Sequence, residues 1–244
     1  MFRATHEVYA GHRVAAAPGT HGAIEAQLDK IAVPRNASIL DFGAFTGAML
    51  RRLRDAGYPN LAGSDLHDHL EEPGIPLTIC DLNEDFAHEF GIFECIIASE
   101  VIEHLNDPRH FLSECHNILT DGGIIVVSTP NIAFFEGRIK FLLKGELWGY
   151  GAHNYAGQRH ISAISQEQFP LLFEECGFEQ IAMTTAGSFA TRLRKMLTSP
   201  IWLIMRAALG KHVIGESLIC VARKRTVSTD RLSSAALWGA KSRG

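Results

Sequence analysis

Short apolar runs alternate with segments whose apolar residues recur at helical spacing along most of the chain. Such runs, rich in Ile, Val and Leu, are typical of strands buried on both faces of a sheet. We predict strands at 39–41, 60–65, 76–82, 93–99, 123–128, 178–184 and 216–222. Helices are predicted near 22–31, 47–56, 107–119 and 131–144, and from a capping box at 165–168 to a terminating glycine at 177. This alternation predicts an α/β fold with a parallel sheet and helices on both faces.

The turn after the first strand combines an acid with two glycines. The apolar run ends at Asp41, and Gly43 and Gly47 precede a helical segment. Glycines allow the backbone to approach a ligand closely, and the start of a helix presents unpaired N–H groups. The spacing does not match the G-x-G-x-x-G pattern of dinucleotide-binding turns. The turn therefore predicts a nucleotide-type cofactor of another kind.

The second and third strands also end in acids, Asp65 and Asp81. Open α/β sheets bind ligands at the carboxyl ends of their strands, so three carboxylates are expected along one edge. A carboxylate at the tip of the second strand is suited to accept hydrogen bonds from both ribose hydroxyls. The structural alternative for each acid is a helix N-cap.

The segment from Asp41 to Gly47 resembles the first motif of class I S-adenosylmethionine (SAM) methyltransferases, Asp-x-Gly-x-Gly-x-Gly, with Phe45 replacing the middle glycine. The resemblance covers about residues 20–225 and implies a Rossmann-like sheet of seven mostly parallel strands in the order 3-2-1-4-5-7-6. It implies SAM as cofactor, with Asp81 at the adenine amino group and the benzyl group of Phe45 turned away from the methionine half. The implied cofactor-binding residues are Asp41, Gly43, Ala44, Phe45, Gly47, Asp65, Leu66, Asp81, Leu82 and Ser99.

Two carboxylates and an imidazole follow the fourth strand. If a helix begins at Ser99, Glu100, Glu103 and His104 lie on one of its faces. Such a trio binds a divalent cation through oxygen and nitrogen, or it lets His104 act as a general base oriented by a glutamate. A structural Glu–His pair beneath the cofactor is the third alternative. We predict these three residues as the catalytic group.

The same run resembles two groups of methyltransferases. The ubiquinone-biosynthesis O-methyltransferases have a nearly identical Ser-Glu-Val-x-Glu-His segment. The small-RNA 2′-O-methyltransferases use Glu-Val-x-Glu-His as a metal site, together with a later histidine. That resemblance implies a divalent ion, Mg or Zn, held by Glu100, Glu103, His104 and His160, with His153 as another histidine in the same region.

The segment 144–164 is rich in glycine and aromatic residues and is predicted to be a long loop over the cleft. Loops of this length usually bind or cover a ligand, and aromatic side chains stack on rings and sugars. The alternative is a packed surface loop that its aromatic residues anchor. The predicted substrate-contacting residues are Trp148, Tyr150, His153, Tyr155 and His160.

The chain divides into an N-terminal extension at 1–19, a methyltransferase domain at 20–224 and a tail at 225–244 that we expect to be disordered. A helical insertion at 188–212 precedes the seventh strand. Its segment 190–209 has basic residues followed by an apolar run too short to span a membrane. It is compatible with peripheral contact with a bilayer, with a substrate cover or with a dimer contact.

Composition and the first residues bear on the class of ligand, the state of the cysteines and the location of the protein. The net charge of −4 argues against a broad nucleic-acid-binding face, which would be basic. The five cysteines have no C-x-x-C pair and are expected to be reduced core residues. The first residues lack a signal-peptide pattern, so we expect a cytoplasmic protein, with peripheral membrane contact as the alternative.

Three functions remain open from the sequence. The first is a SAM-dependent methyltransferase acting on a hydroxyl oxygen of a small molecule such as a phenol, a sugar or a lipid-linked intermediate. The second is an RNA ribose 2′-O-methyltransferase with a divalent metal, which the acidic net charge disfavours and the Glu-x-x-Glu-His run favours. The third is a non-catalytic methyltransferase-like protein that binds a partner, with Phe45 blocking the cofactor.

Overall fold

The computed structural model describes residues 6–226, so all but the first two residues of the predicted tail at 225–244 lie outside the described residues. A short antiparallel hairpin, β1 (Val8–Tyr9) and β2 (His12–Arg13), precedes the main sheet. The strands of the main sheet are β3 (Ile39–Phe42), β4 (Leu61–Asp65), β5 (Leu77–Ile79), β6 (Phe93–Ser99), β7 (Leu119–Pro130), β8 (Phe178–Ala186) and β9 (Ser217–Lys224).

Helices connect the strands. The α-helices are α1 (Thr20–Lys30), α2 (Ala48–Asp55), α3 (Pro108–Asn117), α4 (Phe135–Lys144), α5 (Ala152–Gln158), α6 (Gln168–Glu175) and α7 (Arg192–Leu209). The start of α6 has the predicted capping box, because the Ser165 hydroxyl accepts from the Gln168 N–H and the Gln168 side chain accepts from the Ser165 N–H.

The seven strands are arranged in the order β5-β4-β3-β6-β7-β9-β8. Strand β9 runs antiparallel to both β7 and β8, whereas the other neighbours are parallel. Numbered by the seven predicted strands, this is the order 3-2-1-4-5-7-6, so the predicted fold class is confirmed. Strands β3, β4 and β6 are adjacent, and their carboxyl ends meet at one edge.

Apolar side chains on alternating positions of the central strands form two cores, one on each face of the sheet. On β3, Ile39 packs with α1 and α2, whereas Leu40 packs with α3 and α6. On β6, Cys95 and Ile97 belong to the first core and Ile96 to the second. Burial on both faces explains why these strands appear in the sequence as continuous apolar runs.

The predicted helix starting at Ser99 is wrong. Glu100 has a left-handed backbone (φ 56°), and only a one-turn 3-10 helix, Ile102–His104, follows. The Glu100 N–H donates to the backbone oxygen and the hydroxyl of Ser128, which lies on β7. Hydrogen bonding to the neighbouring strand thus continues past the end of β6 and overrides the local helical pattern.

The prediction of an uninterrupted loop at 144–164 is also wrong, because this segment contains α5. The helix lies between Gly151, which is extended, and Arg159, which is left-handed and ends it. The glycines that suggested a loop flank the helix or lie near its end, where glycine and left-handed residues are tolerated. The intervening residues are compatible with a helix.

Other boundaries also differ from prediction, among them the start of β7 at Leu119 instead of 123. Strand β5 is shorter than 76–82 because its partner β4 ends at Asp65, whose carbonyl accepts from the Cys80 N–H as the last bond of the pair. Helix α4 begins at Phe135 instead of 131 because Asn131 stays in a turn. Its side chain donates to His212 and Gly215 and accepts from Ala133.

Candidate active site

The glycine turn between β3 and α2 is tied to the end of β4. The Gly43 and Ala44 N–H groups donate to the Ser64 carbonyl (2.8 and 3.0 Å), and the Phe45 N–H donates to the Asp65 carboxylate (2.8 Å).

Gly43 and Gly47 both have positive φ (71° and 89°). A Cβ at Gly43 would lie 2.6 Å from the Val101 side chain, so this glycine is required by close packing within the protein.

Phe45 adopts the left-handed backbone (φ 48°) that a glycine would adopt without strain. Its ring lies edge-on to His69, with the ring centres 6.1 Å apart. His69 belongs to the segment after β4, beside the Asp65 carboxylate. The benzyl group therefore contacts the segment that follows the second acid.

Asp41 and His21 are buried next to this turn and line a small hollow there, with Gly43 and Ser99. Burial, and then the charge of Asp65, raises the pKa of Asp41 well above its ordinary value. Burial lowers the pKa of His21 to about 4, so its ring is neutral at pH 7. The two buried ionisable groups that line the hollow therefore both favour their uncharged forms.

The other two acids lie along the same edge, as the strand order requires. The Asp65 carboxylate accepts from the Phe45 and His67 N–H groups. The Asp81 carboxylate accepts from the backbone and side chain of Asn83. The predicted residues Leu66 and Leu82 follow these acids, the first exposed and the second packed on the core. None of the four lines the large cavity or the hollow.

A cavity of about 550 Å³ lies beside the hollow. Glu100, Glu103, His104, Trp148, His153 and His160 line it, as the sequence predicted for a common site. Arg13 and Ala15 line both the cavity and the hollow, so the two spaces adjoin. The volume is typical of a small-molecule site.

Arg13 is a site residue that the sequence analysis missed. It lies on β2, within the predicted N-terminal extension, and its carbonyl accepts from the Thr46 hydroxyl (2.9 Å), which holds the hairpin on the glycine turn. Its side chain reaches both the hollow and the cavity. No motif marks this position, because a lone arginine before the first helix is an ordinary surface residue in a sequence.

Glu103 is buried and Glu100 is half-buried where they line the cavity. The Ser128 hydroxyl donates to the Glu100 carboxylate (2.9 Å). Burial raises the pKa of Glu100 to about 7. Burial, and then the Glu100 carboxylate, raises the pKa of Glu103 well above its ordinary value. Both carboxylate oxygens of Glu103 are buried without a hydrogen-bond partner among residues 6–226.

His104 and His160 meet above these carboxylates, with ring centres 4.8 Å apart. Nδ1 of His104 lies 2.6 Å from the Gln158 carbonyl, and Nδ1 of His160 lies 2.7 Å from the Gly149 carbonyl. A carbonyl only accepts, so each Nδ1 holds the proton and each Nε2 has a free lone pair. Burial lowers both pKa values, and the neighbouring His104 lowers that of His160 further. Both rings are therefore neutral at pH 7.

One ligand atom each of Glu103, His104 and His160 lies within 4.8 Å of the other two. Metal-binding histidines commonly donate their other ring N–H to a carbonyl, as both do here. Glu100, the fourth predicted ligand, lies outside this group and is hydrogen-bonded to Ser128. The arrangement suits either a divalent ion or proton acceptance by an Nε2 atom.

The predicted aromatic contacts divide into two sets. Trp148 lines the cavity and packs on Phe134, with ring centres 4.9 Å apart. Tyr150 lies behind the cavity wall, where its hydroxyl donates to the Ser162 carbonyl (3.0 Å). Tyr155 lies on α5, is largely exposed and does not line the cavity. The structure therefore brings Trp148 to the cavity and leaves the two tyrosines outside it.

Residues 18–182, more than half of the chain, match a family model described as a methyltransferase domain. A stretch of 64 residues is 31% identical to the mitochondrial ubiquinone biosynthesis O-methyltransferase of Rattus norvegicus, covering 26% of this chain and 19% of that protein. A stretch of 147 residues is 29% identical to the dTDP-4-amino-2,3,4,6-tetradeoxy-D-glucose N,N-dimethyltransferase of Saccharopolyspora spinosa, covering 57% and 55% of the two chains. The matches therefore span no more than about half the length of these relatives.

The fold is also similar to that of magnesium protoporphyrin IX methyltransferase from Synechocystis with bound S-adenosylhomocysteine. The TM-score is 0.56 at 15% identity, over 84% of this chain and 82% of that one. This likeness concerns the fold, and the match over residues 18–182 defines the family. SAM is the cofactor of that family, and the chain belongs to the class I SAM-dependent methyltransferases.

Proposed function

We propose that this methyltransferase transfers the methyl group of SAM to a hydroxyl oxygen of a small molecule, such as a phenol, a sugar or a lipid-linked intermediate. The observation that supports it best is the meeting of Glu103, His104 and His160 in the cavity beside the glycine turn. A hydroxyl acceptor must lose its proton as it is methylated, and this group offers a lone pair or a cation for that purpose. The O-methyltransferase relative named above agrees with a hydroxyl acceptor.

The residues at the turn fit the cofactor. Bound SAM supplies an activated methyl group on a sulfonium. Asp65 is suited to accept from the ribose hydroxyls, and Arg13 is suited to pair with the cofactor's carboxylate because it borders both the hollow and the cavity. Asp81 and Leu82 follow β5, the neighbour of β4, so they are suited to contact the adenine ring beyond the ribose.

The residues at the cavity also fit a divalent cation. A buried carboxylate without a partner is costly, and a cation held by Glu103, His104 and His160 would offset that cost. Two imidazoles and one carboxylate favour Zn²⁺ or a similar transition metal over Mg²⁺, which prefers oxygen ligands. Such an ion would act as a Lewis acid that lowers the pKa of the acceptor hydroxyl.

The decisive test removes the charge of Glu103 while keeping its shape. We expect Glu103→Gln to lower turnover by roughly 100-fold or more with unchanged SAM affinity, because acid–base or metal assistance has about that size. Glu89→Gln, at an exposed position, is the matched control and should leave both quantities unchanged. Turnover is measured with radiolabelled SAM and a panel of catechols and sugars, and SAM affinity by calorimetry. Full turnover by Glu103→Gln would show that the reaction centre lies elsewhere.

The metal is tested separately on the wild-type chain. Zinc content by mass spectrometry, before and after chelation, reports whether the site holds an ion. If chelation removes zinc and turnover together, and His160→Gln loses both, the metal assignment holds. If turnover survives chelation, an Nε2 atom of His104 or His160 is the proton acceptor and the ion is not part of the reaction.

A second candidate is the 2′-hydroxyl of an RNA ribose. The meeting of His160 with Glu103 and His104 favours it, because the small-RNA enzymes that the run resembles bind metal through such a set. The net charge of −4 disfavours it, since RNA binding draws on basic surfaces. Radiolabel transfer to a short single-stranded RNA, but to no catechol or sugar, would select this candidate.

A further inference from the structure

Helix α7 exposes most of those large apolar side chains whose placement the structure describes. The exposed ones are Leu193, Met196, Ile201, Leu203 and Ile204. At 3.6 residues per turn, these positions fall within an arc of about 160° on the helix. Trp202 and Met205 lie outside that arc and pack on the cluster formed by Phe134 and Val213. One face of α7 is therefore held by the protein, and another is an apolar face open to solvent.

Helix α4 extends this apolar surface. Its N-terminal end packs in the same cluster as Trp202, which brings the start of α4 close to α7. Its C-terminal half exposes Ile139, Phe141, Leu142 and Leu143, of which Leu142 is 84% exposed. Exposed large apolar side chains grouped in this way mark an interaction surface. We call the exposed side chains of α4 and α7 together the apolar surface.

The stretch of chain that contains α7 is basic. Residues 180–215 contain five basic residues and no aspartate or glutamate, although the whole chain has a net charge of −4. The basic residues of this stretch are Arg192, Arg194, Lys195, Arg206 and Lys211. On α4, Glu136 lies in the first turn and Lys144 in the last, and Lys140 pairs with Glu146, so the excess of positive charge belongs to the stretch that contains α7. An apolar helix face within a basic stretch is typical of helices that lie on anionic bilayers.

We propose that the apolar surface docks this methyltransferase on an anionic lipid bilayer, with α7 lying in the interfacial plane. A second copy of the chain is a poorer occupant, because symmetric pairing would bring the basic stretches of both copies together. Among residues 6–226, no helix has the length and apolarity needed to cross a bilayer. The contact is therefore peripheral.

The surroundings of α7 are compatible with a lipid bilayer as the docking partner. A cavity of about 440 Å³ lies between α4 and α7, with Phe134, Phe135, Trp202 and Ile214 among its lining residues. Its aromatic side would contact an acyl chain, and its polar residues, Glu136 and Ser199 among them, would face a headgroup or water. Phe189, just before α7, lines the cavity that contains Glu103. Docking would thus hold the reaction cavity close to the bilayer.

The inference is tested with the full chain and lipid vesicles in a sedimentation assay. We expect binding to vesicles with about 30% phosphatidylglycerol, weak binding to pure phosphatidylcholine, and loss of binding at high salt, because screening weakens charge attraction. Leu203→Asp and Leu142→Asp should each weaken binding by about 10-fold, because a carboxylate enters the interface at high cost. Arg206→Gln should weaken it about fivefold.

Leu171→Asp is the matched control. Leu171 is also a largely exposed leucine, 61% exposed on α6, and its replacement should leave vesicle binding unchanged. SAM affinity, measured by calorimetry, should be equal in all these variants, which separates loss of docking from loss of fold or cofactor binding. Three results would overturn the inference: no binding to anionic vesicles, equal loss in Leu171→Asp, or a dimer without vesicles that Leu203→Asp dissociates.

Discussion

His21 and Asp41 are two ionisable side chains that the fold buries beside the glycine turn. Their surroundings favour the uncharged form of each, so neither contributes a full charge to the hollow next to the cofactor turn at pH 7. Glu103 is in a similar situation in the neighbouring cavity, where its carboxylate has no partner among residues 6–226. At the scale of residues, the site therefore contains buried ionisable side chains with shifted pKa values, which is typical of functional sites.

The buried imidazole predicts a specific acid sensitivity. His21 has a pKa of about 4 when folded and an ordinary value of 6.5. The unfolded chain therefore binds a proton more readily, so stability is fully present above pH 6.5 and is lost as the pH falls towards 4. The shift corresponds to about 3 kcal/mol of unfolding free energy.

We expect His21→Gln to lack this loss, so that its free energy of unfolding falls by about 3 kcal/mol less than the wild type between pH 6.5 and 4. Urea denaturation across that range provides the measurement. His88→Gln, at an exposed position, is the control and should follow the wild type. Parallel curves for His21→Gln and the wild type would contradict a buried neutral histidine.

At the scale of elements, the hairpin β1–β2 is the part of the fold that brings Arg13 to the site. The side chain of Arg52, on α2, contacts the hairpin segment and keeps it in place. Its guanidinium lies 4.0 Å from the centre of the Tyr9 ring and pairs with Glu7 (2.9 Å) and Glu25 (3.3 Å). The position of Arg13 therefore depends on a helix that is distant in sequence.

Arg52→Met should loosen the hairpin, because it removes both ion pairs and the ring contact. We expect it to lower the free energy of unfolding by about 1–3 kcal/mol, the usual cost of breaking a largely buried charged network. SAM affinity should fall as well, because Arg13 loses its support. Denaturation and calorimetry measure the two effects.

Arg35→Met is the matched control. Arg35 pairs with Asp29 at a solvent-exposed position, so its loss should change stability by less than about 1 kcal/mol and leave SAM affinity unchanged. Equal effects of the two substitutions would show that the Arg52 network does not position the hairpin.

At the scale of the whole molecule, the strand order places three acids and the glycine turn along one edge of the sheet, next to the cavity that contains Glu103. Ligand binding to the folded state alone raises stability by mass action. SAM at about 100 times its dissociation constant should therefore add about 2.7 kcal/mol to the free energy of unfolding. For a chain of this size, that corresponds to a rise in Tm of roughly 5–10 °C.

A thermal melt with and without SAM measures this shift, and methionine alone is the control ligand that should leave Tm unchanged. Asp65→Ala should reduce the shift, because Asp65 is proposed to hold the ribose and also accepts from the turn at Phe45. An unchanged Tm with saturating SAM would be incompatible with a cofactor cleft at this edge.

The sequence by itself determined the fold class, because buried parallel strands require continuous apolar runs and crossover helices require amphipathic ones. The motif from Asp41 to Gly47 predicted the family and the cofactor, and the sheet order followed from that resemblance; all three are confirmed. Local signals of this kind, like the capping box at Ser165, depend on residues close together in the sequence. They can therefore be recognised without the structure. The roles of individual site residues remain predictions.

Only the tertiary structure decided which distant residues share the site. Arg13 reaches it through a hairpin packed on α2, and His160 meets His104 through a helix that the sequence pattern did not indicate. The chain at Glu100 follows a neighbouring strand instead of its own helical pattern. The physical reason is common to all three. Each depends on contacts between residues far apart in sequence, and the free energy of those contacts exceeds local conformational preference.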